Sequence, residues 1–262
     1  MLNNMLQDSH LHIQGIELPS VIERFLNDIK SDGLVRLFNC ATQPIDWPVI
    51  RSLSDSYHEI IPFFGIHPWF VDLAEEAAFI QLEKYLGVPK ALVGEIGLDK
   101  SRKNIDFERQ KDVFIRQLIL AKKFNKPFAV HCVRSWEPTL RLIKEHAAGV
   151  RFLIHSFNGP LEIVQEAAKM GGFFSLAVKE FTRSGTPLCR VFEQLPGDRI
   201  LLETDFPYQV KATDPVNYVT ALRAGYETAA ACRKVSVETF IRMVYDNGTI
   251  FANTTVDRSR SV

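Results

Sequence analysis

Six side chains suited to holding a metal ion stand in this chain, each at or near the end of a short apolar run. His10 and His12 form an H-x-H pair in LQDSHLHI, and Glu95 lies in ALVGEIGLD. His131 closes PFAVHC, His155 sits in VRFLIHSF and Asp205 closes RILLETD. Two imidazoles one residue apart share a face of an extended strand and can chelate one divalent ion. The same alternation places Asp8 on that face. A carboxylate inside an apolar strand, such as Glu95, is costly unless paired or coordinated. Glutamate can also bridge two cations, one oxygen on each. Taken singly, His131 or His155 reads more often as a hydrogen-bonded core histidine; together, at equivalent strand ends, they form a second metal position. Asp205 can bind one ion and accept a proton from an attacking water. Glu203, two residues earlier on the same face, either orients a histidine from behind or belongs to a buried ion pair. The donor set suits divalent zinc, manganese, iron or nickel, with magnesium or calcium less favoured by the nitrogen content.

Something must bring these positions together. Apolar, strand-like runs occupy roughly 6–12, 34–40, 60–67, 91–98, 127–132, 150–156, 171–178 and 199–205. Between them lie segments of helical period: SVIERFLNDIKSDG, DFERQKDVFIRQLILAKKFN and SWEPTLRLIKEHAAG. Gly33, Gly149 and Gly171 follow helical segments, as C-capping glycines do. Alternating strands and helices predict parallel pairing through crossovers. The economical closed solution is a (β/α)8 TIM barrel, an α/β fold that typically uses roughly 250 residues. An open doubly wound sheet gathers its site at one crevice. Here the candidates come from strands 1, 4, 5, 6 and 8, which a barrel mouth collects and an open sheet spreads apart. Residues 1–251 are expected to form one domain, with final helices in 215–251. The polar tail 252–262 is expected to fray.

The composition is that of an ordinary globular chain, with 262 residues, 46% hydrophobic and 24% charged. Lysine plus arginine equals aspartate plus glutamate at 31 each, which argues against a strongly basic nucleic-acid coat protein but not against a local basic face. Cys40, Cys132, Cys189 and Cys232 are widely spaced with no C-x-x-C, so they are expected to be free thiols in a reducing, cytoplasmic compartment. No cationic-then-apolar leader is visible and no run approaches about 18 apolar residues, so no membrane span is expected.

Eight segments, in order, carry a family resemblance: DSHLH at 8–12, NCAT at 39–42, GIHP at 65–68, GEIGLD at 94–99, PFAVH at 127–131, HSFNG at 155–159, ETDFPY at 203–208 and YDNGTIF at 245–251. The chain resembles the TatD family of metal-dependent deoxyribonucleases over nearly its whole length. The resemblance implies a (β/α)8 barrel with a two-metal site that hydrolyses phosphodiesters. His10, His12 and Asp205 would hold one ion, His131 and His155 the other. Glu95 would bridge them, and Asp205 would be the general base. Two such ions about 4 Å apart generate hydroxide and stabilise the attacking and leaving oxygens. His67, in GIHP, would face substrate; the bland alternative is a histidine fixing the turn before Pro68.

The sequence departs from the family where substrate would lie. The family's His-x-Arg becomes His131-Cys132-Val133-Arg134, with the arginine one residue late. Lys100 replaces the aromatic residue usual after GLD, and KATDPVNY at 211–218 replaces an arginine–asparagine stretch. Lys100, Arg102, Lys103, Arg134, Lys179, Arg183 and Lys211 fall on the loops after strands, so a neutral chain can carry a positive mouth. Trp69 or Trp136 could stack a base there, or simply pack at a helix start. The expected substrate is short or single-stranded DNA, cut from a strand end by a monomer. Two alternatives remain: an amidohydrolase acting on esters or amides, such as aminoacyl esters, at the same ions, and a non-catalytic metal-binding barrel.

Overall fold

The computed structural model describes residues 5–16, 19–31, 33–182, 192–209 and 215–253. Eight strands form one parallel sheet in sequential order: β1 (Leu6–Leu11), β2 (Leu34–Cys40), β3 (Ile60–Phe64), β4 (Leu92–Asp99), β5 (Phe128–Val133), β6 (Phe152–Ile154), β7 (Gly172–Ala177) and β8 (Ile200–Glu203). Each neighbouring pair from β1–β2 to β7–β8 is parallel. The seam between the first and last strands closes at their C-terminal ends. Asp205 N–H donates to the His10 carbonyl at 3.0 Å and His12 N–H to the Phe206 carbonyl at 2.7 Å. Lower on the same seam, the Ser9 hydroxyl reaches the Leu202 carbonyl at 2.7 Å. This is the expected TIM barrel, and the open sheet is excluded by that closure.

The helices cover the strands because each carries an apolar stripe. In α4 (Phe107–Phe124), Val113, Phe114, Leu118 and Ala121 are buried, Asp106 caps the N-terminus by accepting from Glu108 N–H, and Asn125 ends the helix in the left-handed region. The other wall helices include α1 (Pro19–Ser31), α2 (Asp46–Ser56), α3 (Glu76–Leu86), α5 (Trp136–His146), α6 (Leu161–Lys169) and α7 (Val178–Thr182). After β8 come α8 (Pro215–Cys232) and α9 (Val237–Ala252), as expected for 215–251. Gly33, Gly149 and Gly171 have positive φ, consistent with their capping positions. Phe251 of α9 packs on Phe38 of β2, Phe63 of β3 and Phe173 of β7 at centroid distances of 5.9, 6.3 and 5.4 Å. One ring touching both the β2–β3 pair and β7 lies across the barrel's interior, and burying it contributes about 2 kcal/mol.

Two local features shape the mouth. Gly97 has φ +145, and a Cβ there would lie 2.0 Å from the His131 carbonyl, so glycine lets β4 and β5 approach beside that histidine. In β1 the register against β2 shifts between Asp8 and Leu11. The shift breaks strict alternation, which corrects the expectation for Asp8. Its carboxylate accepts from Tyr218 Oη of α8 at 2.7 Å and from Thr204 N–H at 3.1 Å, instead of joining the histidines.

Cys40 and Cys132 are free and buried. Cys132 turns its sulfur toward Ser135 and Thr139 around the start of α5, as strand alternation predicts. Cys232 is disulfide-bonded, contrary to the expectation of free thiols. Among the described residues no helix is long and apolar enough to cross a membrane. Tail residues 254–262, and with them most of the segment expected to fray, lie outside the described residues, as do Arg183 and Lys211. Ala252, assigned to the tail from sequence, is the last residue of α9.

Candidate metal centre

The strand ends bring His10, His12, Glu95, His131, His155 and Asp205 to one place, joined by His67 from the turn after β3. Glu95 is the hub. Its Oε2 lies 3.1 Å from His10 Nε2 and 3.5 Å from His12 Nε2. Its Oε1 lies 2.9 Å from His131 Nδ1 and 3.0 Å from His155 Nε2. Oε2 thus faces His10 and His12, and Oε1 faces His131 and His155, with His67 Nε2 at 3.4 Å. Asp205 adjoins the first pair, with Oδ1 3.4 Å from His12 Nε2. All of these residues are buried, Glu95 at 2% exposure.

The far nitrogen of each ring determines what the near one offers. A neutral imidazole has one N–H and one lone pair, so a pure acceptor on one nitrogen leaves the lone pair on the other. His12 Nδ1 lies 2.7 Å from the Cys40 carbonyl and therefore carries its hydrogen there. His155 Nδ1 meets Glu203 Oε1 at 3.3 Å, and His131 Nε2 meets Asp99 Oδ2 at 3.4 Å. His10 Nδ1 lies 3.4 Å from the Cys40 sulfur, a weak partner of either polarity. In their neutral forms His12, His131 and His155 accordingly present lone pairs inward. They meet as opposed nitrogens: His10 Nε2 to His12 Nε2 at 3.2 Å, and His131 Nδ1 to His155 Nε2 at 3.3 Å. Between neutral His131 and His155 the facing lone pairs repel, and a cation there, a metal ion or a proton held by Glu95 and Glu203, removes the conflict. The donor set therefore fits divalent metal. Among the described residues, donors converge within 4.8 Å in the sets His10–His12–Asp205, His10–His155–Glu203 and His67–Glu95–His131.

His67 behaves differently. Its Nδ1 accepts from Trp69 N–H at 3.1 Å, so the neutral ring carries its hydrogen on Nε2, which lies 3.4 Å from Glu95 Oε1. Burial holds its pKa down at about 4, keeping it neutral near pH 7. It presents a donor to the site where the other rings present acceptors, which separates it from the ligand-type histidines.

Charge follows from burial and neighbours. Burial opposes ionisation of Glu95, yet His155, His67 and His10 hold its carboxyl well below the ordinary range. Burial also opposes charge on His155, but Glu95 and Glu203 raise it well above its usual value. Glu203 is wholly buried, and its Oε2 has no hydrogen-bond partner among the described residues.

Sequence reasoning missed three residues here. Asp99 was visible only as the end of GLD, yet its Oδ2 receives Trp69 Nε1–H at 2.7 Å and faces His131, while Ser101 N–H holds Oδ1 at 2.9 Å. Gln110 and Gln117 are buried on α4, seven positions apart in the chain. Gln117 bonds both the N–H and the carbonyl of Ile66 at 2.7 and 3.0 Å, and Gln110 does the same for Asp99 at 2.8 and 3.1 Å. The signal, polar residues within an apolar helical stripe, was present but unspecific. Of the proposed substrate contacts, Lys100 is exposed, with its amine 5.8 Å from the Phe107 ring. Arg134 is exposed and left-handed at φ 53. Trp136 packs on Phe157 at 5.5 Å, whereas Trp69 remains 41% exposed.

An eight-stranded α/β barrel with clustered imidazole and carboxylate donors at its mouth defines the class, a barrel hydrolase of the metal-dependent kind. The sequence model of the family described as TatD related DNase matches residues 7–251, and the chain belongs to that family. It is 29% identical over 257 residues to the human deoxyribonuclease TATDN3, covering 92% of each chain. It is also 29% identical over 213 residues to the uncharacterised metal-dependent hydrolase YabD of Bacillus subtilis, covering 78% of this chain and 81% of that one. The crystal structure of YJJV, a TatD homologue from Escherichia coli, superposes with TM-score 0.86 at 23% identity, covering 97% of this chain and 100% of that one. That likeness shows the fold.

Proposed function

We propose that this TatD-type hydrolase is a two-metal deoxyribonuclease that shortens single-stranded DNA from one end. One observation carries the reading: the two oxygens of Glu95 divide four histidines into two pairs of opposed nitrogens. His10, His12 and Asp205 would hold one ion and His131 and His155 the other, with Glu95 between them. Bound there, the ions would supply Lewis acidity and lower the pKa of water toward neutrality.

This chain's own residues do the rest. Asp205 adjoins the first pair and takes the proton of the attacking water, in keeping with a carboxyl held below its usual pKa by His12 and His155 against burial. His67 donates from Nε2 to a phosphoryl oxygen. Glu203, Asp99 and the Cys40 carbonyl fix ring orientation from behind, as outer-shell acceptors do. The protein works as a monomer.

The test is hydrolysis of single-stranded DNA oligomers labelled at the 3′ or the 5′ end, with magnesium, manganese, zinc or EDTA. The expected result is a metal-dependent ladder, reduced by more than roughly 100-fold in Glu95→Ala. The label retained in short products gives the direction of attack. Bound metal without DNA cleavage, together with turnover of aminoacyl esters, would replace this substrate class.

A further inference from the structure

Outside the metal centre, one cation of the mouth is set on a built platform. The Arg102 guanidinium lies over the Trp69 indole with its carbon 3.8 Å from the ring centroid. Among the described residues no carboxylate pairs with it. The platform is itself anchored: Trp69 Nε1–H donates to Asp99 Oδ2 at 2.7 Å, and that oxygen faces His131 Nε2 at 3.4 Å. Trp69 N–H also fixes His67. Arg102 is therefore one aromatic ring away from both the donor histidine and a ring of the metal cluster.

Two other cations proposed to meet substrate lack such support. Arg134 makes no hydrogen bond or ion pair among the described residues, and the Lys100 amine has only the more distant Phe107 ring. A free arginine loses rotamer entropy when it grips an anion. One already stacked on an anchored indole loses less, and its planar fork matches two phosphate oxygens. We infer that Arg102, laid on Trp69, is the phosphate-binding residue of this site, gripping the phosphate next to the scissile one. This inference rests on the nuclease reading above.

The test pairs a change in the protein with a change in the substrate. A single-stranded oligonucleotide carries a neutral methylphosphonate at the linkage next to the cleaved one, and is compared with its all-phosphate parent. Wild type should lose roughly tenfold in kcat/KM on the neutral linkage, while Arg102→Gln, already lower, should lose less than twofold further. Arg102→Gln should also flatten log KM against log salt by about 0.7. Trp69→Leu should weaken the discrimination in the same direction. Equal methylphosphonate penalties in wild type and Arg102→Gln, in an enzyme that cuts DNA, overturn this assignment alone. A wild-type protein that binds metal but neither cuts nor binds the oligonucleotide overturns the nuclease reading and this assignment with it.

Discussion

The histidines around Glu95 are held from behind by different acceptors: a main-chain carbonyl for His12, Glu203 for His155, Asp99 for His131 and a thiol for His10. The single residue that most changes the account of this neighbourhood is Asp8. Thr204, Tyr218 and the His10 N–H all donate to it, yet burial lifts its carboxyl from 3.8 to about 7. A folded pKa above the unfolded one means that the native state keeps the proton longer. Stability from this group is full below about pH 4 and is lost as pH rises to about 7. Asp8→Asn removes the titration. Its stability cost, measured by urea denaturation in EDTA, should be smaller at pH 8 than at pH 5 by roughly 2–3 kcal/mol. A cost equal or larger at pH 8 would show that Asp8 is ionised throughout.

At the scale of elements, α4 positions the site without touching it. Gln117 and Gln110 close the backbone of Ile66 and Asp99, the positions just before His67 and at the end of β4. Replacing Gln117 with Leu leaves a buried N–H and a buried carbonyl unpaired, at ~1–3 kcal/mol each. Denaturation should therefore show a loss of about 2–6 kcal/mol; a loss under about 0.5 kcal/mol would mean water replaces the amide. The strands and their polar ends were legible in the sequence, because a barrel strand buried on both faces is an apolar run and its functional residue interrupts it. The inward turn of His10 and His12 was legible from their two-residue spacing. The outward turn of Asp8 was not, because a register shift in β1 carries no local sequence mark. Nor were the links from Trp69 to Asp99 and from Gln117 to Ile66 legible, since they join residues 30 and 51 positions apart.

For the molecule as a whole, closure between β1 and β8 turns separate strand ends into one cluster. It seats His10 and His12 beside Asp205 through the two backbone hydrogen bonds of the seam. For the DNA substrate proposed above, a formal net charge of zero leaves long-range attraction to the uneven placement of charge, with cations on the loops after strands. The central claim is that this mouth holds two ions sharing one carboxylate. The most direct measurement is the number of ions per chain after loading with zinc or manganese and removing the excess, by elemental mass spectrometry, for wild type and Glu95→Ala. The account predicts two ions per chain in the wild type and one or fewer in the variant. A single ion in the wild type, or two in Glu95→Ala, would contradict it.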